Sequence, residues 1–147
     1  MKYIKCVTAA VLLLLLVSGC SKTYPDYEQF ISDIISAQEE FLSRIGSASS
    51  PEDIAETAEW FNTRLLELDK TGKLLKQKYP ESAGWDSTPP DSLKDDWDRF
   101  HAKWSEFEER WNLEMSGDVG YEKMLHDPQV KAAFMKLART MDTVSFL

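Results

Sequence analysis

From residue 25 onward, apolar residues recur at steps of three and four, the spacing that gathers side chains on one face of an α-helix. The clearest run follows Ser50 and Pro51, which suit a helix cap and a first helical position. Its apolar or small positions alternate steps of four and three up to Pro80: Ile54, Ala58, Phe61, Leu65, Leu68, Gly72, Leu75 and Tyr79. A repeat of 3.5 residues predicts coiled-coil-like packing with a left-handed supercoil.

Three further helices are predicted by the same spacing. One begins at Pro25 and stops near Gly46, and the next runs from about Ser92 to Met115 after a loop at residues 80–91. The last begins at Pro128 and carries Val130, Phe134, Leu137, Met141 and Val144, with a short helical turn expected around residues 121–125 before it. Four amphipathic helices and no alternating β pattern predict an all-α, up-down-up-down helical bundle. Residues 25–147 therefore read as a single domain.

The first twenty residues have a different pattern. Lys2 and Lys5 precede an apolar run at residues 7–17, the layout of a secretory signal peptide that is too short to span a bilayer comfortably. The run ends in Val17-Ser18-Gly19-Cys20, which resembles the lipobox of bacterial lipoproteins. The resemblance implies removal of residues 1–19, a diacylglyceryl group on the Cys20 thiol and acylation of the new amino terminus. Residues 20–24 would then be a short tether. An ordinary signal peptide with an incidental cysteine, or a signal anchor, is the alternative.

The same resemblance implies a location in the cell envelope. In enteric-type bacteria an aspartate after the lipidated cysteine retains a lipoprotein in the inner membrane. This chain has Ser21 there, which predicts transport to the outer membrane, facing the periplasm, if the source is Gram-negative. In a cell with a single membrane the domain would lie on its outer face.

Charge and cysteine content narrow the classes of partner. Loss of Lys2 and Lys5 with the signal peptide leaves 15 basic against 25 acidic residues, a net charge of −10. Such a surface repels nucleic acid phosphates and anionic lipid headgroups, so we expect no nucleic acid partner and no membrane contact beyond the lipid. Cys6 is removed with the signal peptide and Cys20 carries the lipid. No thiol remains for a disulfide or a metal, so apolar burial has to hold the domain together.

No motif points to catalysis, a metal or a cofactor. Carboxylate-bridged di-iron bundles need Glu-x-x-His on two helices, whereas Asp98 precedes His101 and Lys123 precedes His126 at that spacing. The sequence has no Cys-x-x-Cys-His haem attachment, phosphate-binding loop, nucleophile elbow or zinc motif. The many carboxylates of the third helix read as a solvated face. We therefore predict no catalytic residue, no metal and no cofactor, and a protein that is not an enzyme.

Aromatic residues supply the remaining candidates. The third helix carries a stripe that is either core or an apolar groove for a ligand or partner helix: Trp97, Phe100, Trp104, Phe107 and Trp111. Trp60 lies one position off its helical seam, and Trp85 lies in the 80–91 loop. Exposed large aromatics on an acidic domain often mark contact sites. The alternative for Trp85 is a lid folded over one end of the bundle.

These observations favour a membrane-anchored, non-enzymatic module that binds or assembles with another envelope protein. The alternative is a carrier or sensor that holds a small apolar ligand against the aromatic stripe of the third helix. An enzyme is a third and weaker class. An apolar cavity against Trp97, Trp104 and Gly72 would favour the carrier, whereas a filled core would favour the contact module. Trp104, at the middle of the stripe, is predicted to be core.

Overall fold

The structure is a computed structural model that describes residues 22–115 and 126–144. Four α-helices make up most of these residues: α1 (Pro25–Ser47), α2 (Pro51–Lys78), α3 (Lys94–Met115) and α4 (Pro128–Thr143). Two short 3₁₀ turns, Pro80–Ser82 and Asp91–Leu93, lie in the connection between α2 and α3. The predicted all-α bundle is confirmed. The expected signal peptide, Cys20 and the turn expected around residues 121–125 lie outside the described residues.

Local side-chain chemistry sets the helix starts. The Ser50 hydroxyl accepts a hydrogen bond from the backbone N–H of Asp53 at 3.1 Å, and the Asp53 carboxylate accepts one from the backbone N–H of Ser50 at 3.0 Å. This reciprocal capping box begins α2 at Pro51, as predicted. Asp127 caps α4 in a similar way, by accepting from the N–H groups of Gln129 and Val130. The third helix begins two residues later than predicted because Asp91–Leu93 form a 3₁₀ turn.

Helices that follow one another in the chain run in opposite directions, but some helices that pack side by side run in the same direction. The starts of α1 and α3 meet where the Ser92 hydroxyl donates to the Lys22 carbonyl at 2.9 Å, and the same helices meet again where the rings of Phe41 and Trp111 lie 5.8 Å apart. α1 and α3 are therefore parallel. The main contacts join α2 to α4, α1 to α2 and α1 to α3. The connection at residues 79–93 must consequently cross one end of the bundle.

The bundle has a near end and a far end. The near end is defined as residues 22–27 together with the 79–93 connection, and the far end as the last turns of α1 and the first turns of α2, residues 40–60. Seven of the eight seam positions predicted for α2 are buried, and Tyr79 is half-buried. Among residues 22–115 and 126–144, no helix combines the length and apolar character needed to cross a membrane.

Candidate contact surface

Trp85 belongs to the core of the near end. Only 7% of its surface is exposed, and its ring lies 4.6 Å from that of Tyr24 and 5.0 Å from that of Tyr27. Tyr79 closes the cluster, with its ring 5.5 Å from that of Tyr24. The 79–93 connection crosses the bundle end, so it carries Trp85 inward over the start of α1. The lid interpretation fits this position, and Trp85 is not exposed as a contact residue would be.

Trp60 differs from Trp85 in its exposure, in its neighbours and in the end of the bundle at which it lies. It is half-buried on α2 at the far end, with one face stacked on Phe61 at 6.1 Å between ring centroids. The Arg44 guanidinium of α1 lies 4.2 Å from the ring centroid, a cation–π contact. Glu40 accepts from the same guanidinium at 2.5 Å and so fixes its direction. An ordered Trp–Arg pair at the surface is the residue combination that recurs in interface hot spots.

A shallow hollow of about 300 Å³ lies beside this pair. Its lining includes Arg44, Ser47, Ala48, Glu56 and Thr57, from the end of α1 and the start of α2. We call Arg44, Ser47, Ala48, Glu56 and Trp60 the far-end surface. It combines an aromatic ring with a cation that is paired to Glu40, beside a shallow hollow with a mostly polar lining.

The aromatic stripe of α3 is only partly core. Trp97, Phe100 and Phe107 are buried, at 2%, 6% and 1% exposure, whereas Trp104 and Trp111 are half-buried. The prediction that Trp104 is core is therefore wrong. Its ring lies against Phe100 and Phe107 of its own helix, and its indole N–H donates to the Glu108 carboxylate at 2.8 Å. The cause is that α3 packs chiefly on α1, which leaves one flank of the stripe less covered.

A groove of about 250 Å³ runs between α1 and α3. Its lining includes Gln38 and Leu42 of α1 and Lys103, Phe107 and Arg110 of α3, so Phe107 is the stripe residue that reaches it. This groove does not lie against Trp97, Trp104 and Gly72, the position at which an apolar cavity would have favoured the carrier. Gln38 is only 3% exposed, and neither atom of its side-chain amide has a hydrogen-bond partner among the described residues. The sequence signal for this residue is its spacing, because Gln38 lies four positions after Ile34 and three before Phe41, on the apolar face of α1.

The described residues were also examined for groups of metal-ligating side chains. Within 22–115 and 126–144, no group of three or more histidine, cysteine, aspartate or glutamate side chains could hold an ion. His101 and His126 are both exposed.

Arg44 and Tyr24 could not be found from the sequence. The cation–π contact of Arg44 and the aromatic cluster around Tyr24 each join residues that are far apart in the chain.

Comparison with protein-family models, with curated proteins and with solved structures finds no match to this chain.

Proposed function

We propose that the chain is a bacterial envelope lipoprotein whose lipid on Cys20 holds a non-enzymatic helical module, and that this module binds another envelope protein through the far-end surface. The observation that carries the contact assignment is Trp60, half-buried and oriented by Arg44 at 4.2 Å, at the end of the bundle opposite the tether. With Ser21 after the cysteine, the proposed location in a Gram-negative source is the outer membrane, facing the periplasm.

The charges around Trp60 favour a basic partner. Asp53 and Glu56 line the hollow beside the pair. Arg44, the cation of that lining, already pairs with Glu40. Charges of this kind raise the rate of association more than they tighten the complex. We therefore expect faster capture of the partner at low salt, with the Trp60 ring supplying the anchor.

The carrier alternative has less support. Trp97 is buried in the core, and the groove that Phe107 reaches, between α1 and α3, carries charged side chains at its rim. A small apolar ligand would need the surface of the stripe that Trp104 and Trp111 leave half-exposed.

Crosslinking in the native envelope tests the contact assignment. A photoreactive residue replacing Glu56 should capture a defined envelope protein, and Trp60→Ala should abolish that capture. Trp104→Ala is the matched control, because Trp104 is also a half-buried tryptophan but lies on α3. Equal capture by the Trp60→Ala and parent proteins would remove the far-end surface from the proposal. If Cys20→Ser protein were processed normally and still sedimented with membranes, the proposed lipid anchor at Cys20 would be wrong.

A further inference from the structure

Residues 22–24, the described part of the expected tether, are packed into the folded body. The Lys22 carbonyl accepts from the Ser92 hydroxyl at 2.9 Å, and the Lys22 ammonium pairs with Glu81. Tyr24, two residues later, is only 6% exposed, in edge-to-face contact with Trp85 and Tyr79. The ion pair is exposed and stabilises little. Burial of the Tyr24 ring therefore provides most of the free energy that keeps this segment packed on the bundle.

A second set of contacts ties the next residues to the same end. Asp26, in the first turn of α1, accepts from the Tyr79 hydroxyl at 3.0 Å and pairs with Lys78 at the end of α2. Tyr27 is buried at 2% exposure against Trp85 and Tyr79. From Lys22 onward the backbone thus belongs to the bundle rather than to a linker.

Chain geometry then limits the reach of an anchor at Cys20. Two residue steps separate Cys20 from Lys22, and an extended chain covers about 3.5 Å per step, so about 7 Å is the maximum. The 23 residues of α1 carry the fold roughly 35 Å in the other direction. A lipid on Cys20 must therefore leave the molecule at the near end.

We propose that the near end faces the lipid headgroups at close range, and that the packed Lys22–Tyr24 segment acts as a short, stiff anchor that holds the far-end surface away from the bilayer. This inference rests on the proposed lipid anchor and adds an orientation to it. The exposed carboxylates of the 79–93 connection, among them Asp86 and Asp91, oppose insertion into an anionic surface, so the near end abuts the headgroups rather than enters them.

Fluorescence quenching on vesicles tests the orientation. Full-length, processed protein is labelled at Ser87→Cys in the near end or at Ser47→Cys in the far end, both exposed serines, and bound to vesicles that contain a nitroxide headgroup lipid. We expect quenching of the Ser87→Cys label to be several-fold greater. A linker of about twelve glycine and serine residues between Ser21 and Lys22, with a mean span of about 20 Å, should largely remove the difference. Tyr24→Ala, shown by circular dichroism to remain helical, should reduce it.

The outcomes separate the orientation from the anchor on which it depends. Equal quenching of both labels in membrane-bound protein, or stronger quenching of the Ser47→Cys label, overturns the orientation and leaves the lipid anchor intact. A parent chain that takes up the thiol dye at Cys20 and stays off the vesicles overturns the proposed anchor, and the orientation with it. An unchanged difference in the linker variant would show that contacts other than the short tether orient the bundle.

Discussion

Trp85 and Trp60 both lie off the helical seams, and the structure gives them opposite surroundings. Trp85 lies against the rings of Tyr24 and Tyr27 at the start of α1 and is 7% exposed. Tyr79, from the end of α2, contacts the same two tyrosines. Trp60 rests on Phe61 and lies under the Arg44 guanidinium, with part of its ring at the surface. The near end is thus an aromatic core built around the start of α1, whereas the far end has a partly exposed aromatic ring. The same residue type closes the fold in one place and is left partly exposed in the other.

Alanine substitution at these two positions should give the largest contrast in stability. Trp85→Ala removes a buried ring and leaves a cavity, so we expect a loss of about 3–5 kcal/mol in the free energy of unfolding. Trp60→Ala leaves a surface vacancy that water fills, and should cost less than about 1.5 kcal/mol. Urea unfolding followed by circular dichroism measures both. Equal losses would mean that the two ends are packed alike.

Trp104 tests whether burial rather than residue type sets these values. It is half-buried and its indole N–H donates to Glu108, so Trp104→Ala should fall between the other two, at about 1–3 kcal/mol. Trp104→Phe keeps the contacts with Phe100 and Phe107 and should recover most of the loss. A cost as large as that of Trp85→Ala would show that the flank of α3 is more enclosed than its exposure indicates.

Gln38, just before the far end on α1, should give a smaller change of opposite sign. Its amide is buried with neither atom hydrogen-bonded among the described residues, and such groups cost about 1–3 kcal/mol. Gln38→Leu removes the amide at similar volume and should raise the free energy of unfolding by about 1 kcal/mol. Gln29→Leu is the control, because Gln29 is exposed and donates to Asp33 at 2.9 Å. A destabilised Gln38→Leu protein would indicate a partner for the amide in the groove between α1 and α3.

Acid should weaken both ends, by different contacts. Hydrogen bonds from Lys78 and Tyr79 lower the pKa of Asp26, and hydrogen bonds from the backbone N–H of Ser49 and the hydroxyls of Ser50 and Ser49 lower the pKa of Asp53. A lowered folded pKa means that the unfolded chain binds protons first. The stabilisation is therefore complete above the unfolded value of about 3.9 and is lost as pH falls through the folded pKa.

Single substitutions separate the two contributions to this small pH effect. Asp26→Asn and Asp53→Asn should each flatten the decline in melting temperature below about pH 4. At neutral pH, added salt should screen the exposed Asp26–Lys78 pair and leave the backbone hydrogen bonds of Asp53 nearly unchanged. A pH profile identical to that of the parent in both variants would assign the acid sensitivity to other carboxylates.

Periodicity alone was enough to predict the helices and the fold class. The seam from Ile54 to Leu75 is buried as the 3.5-residue repeat required, and Pro51 and Pro128 begin helices where the caps predicted. These features depend on residues within one or two turns of each other, so the local sequence determines them. The far-end surface was only half predicted, through Trp60, because the Arg44 that orients its ring comes from the preceding helix.

Tertiary structure decided which side chains of each type are enclosed. Trp85 is buried because the 79–93 connection crosses the bundle beside Tyr24, and Trp104 is half-exposed because α3 packs chiefly on α1. A seam pattern states that a residue faces a neighbouring helix without stating which helix or how completely it is covered. Coverage depends on the spatial order of all four helices, which no single stretch of the sequence encodes.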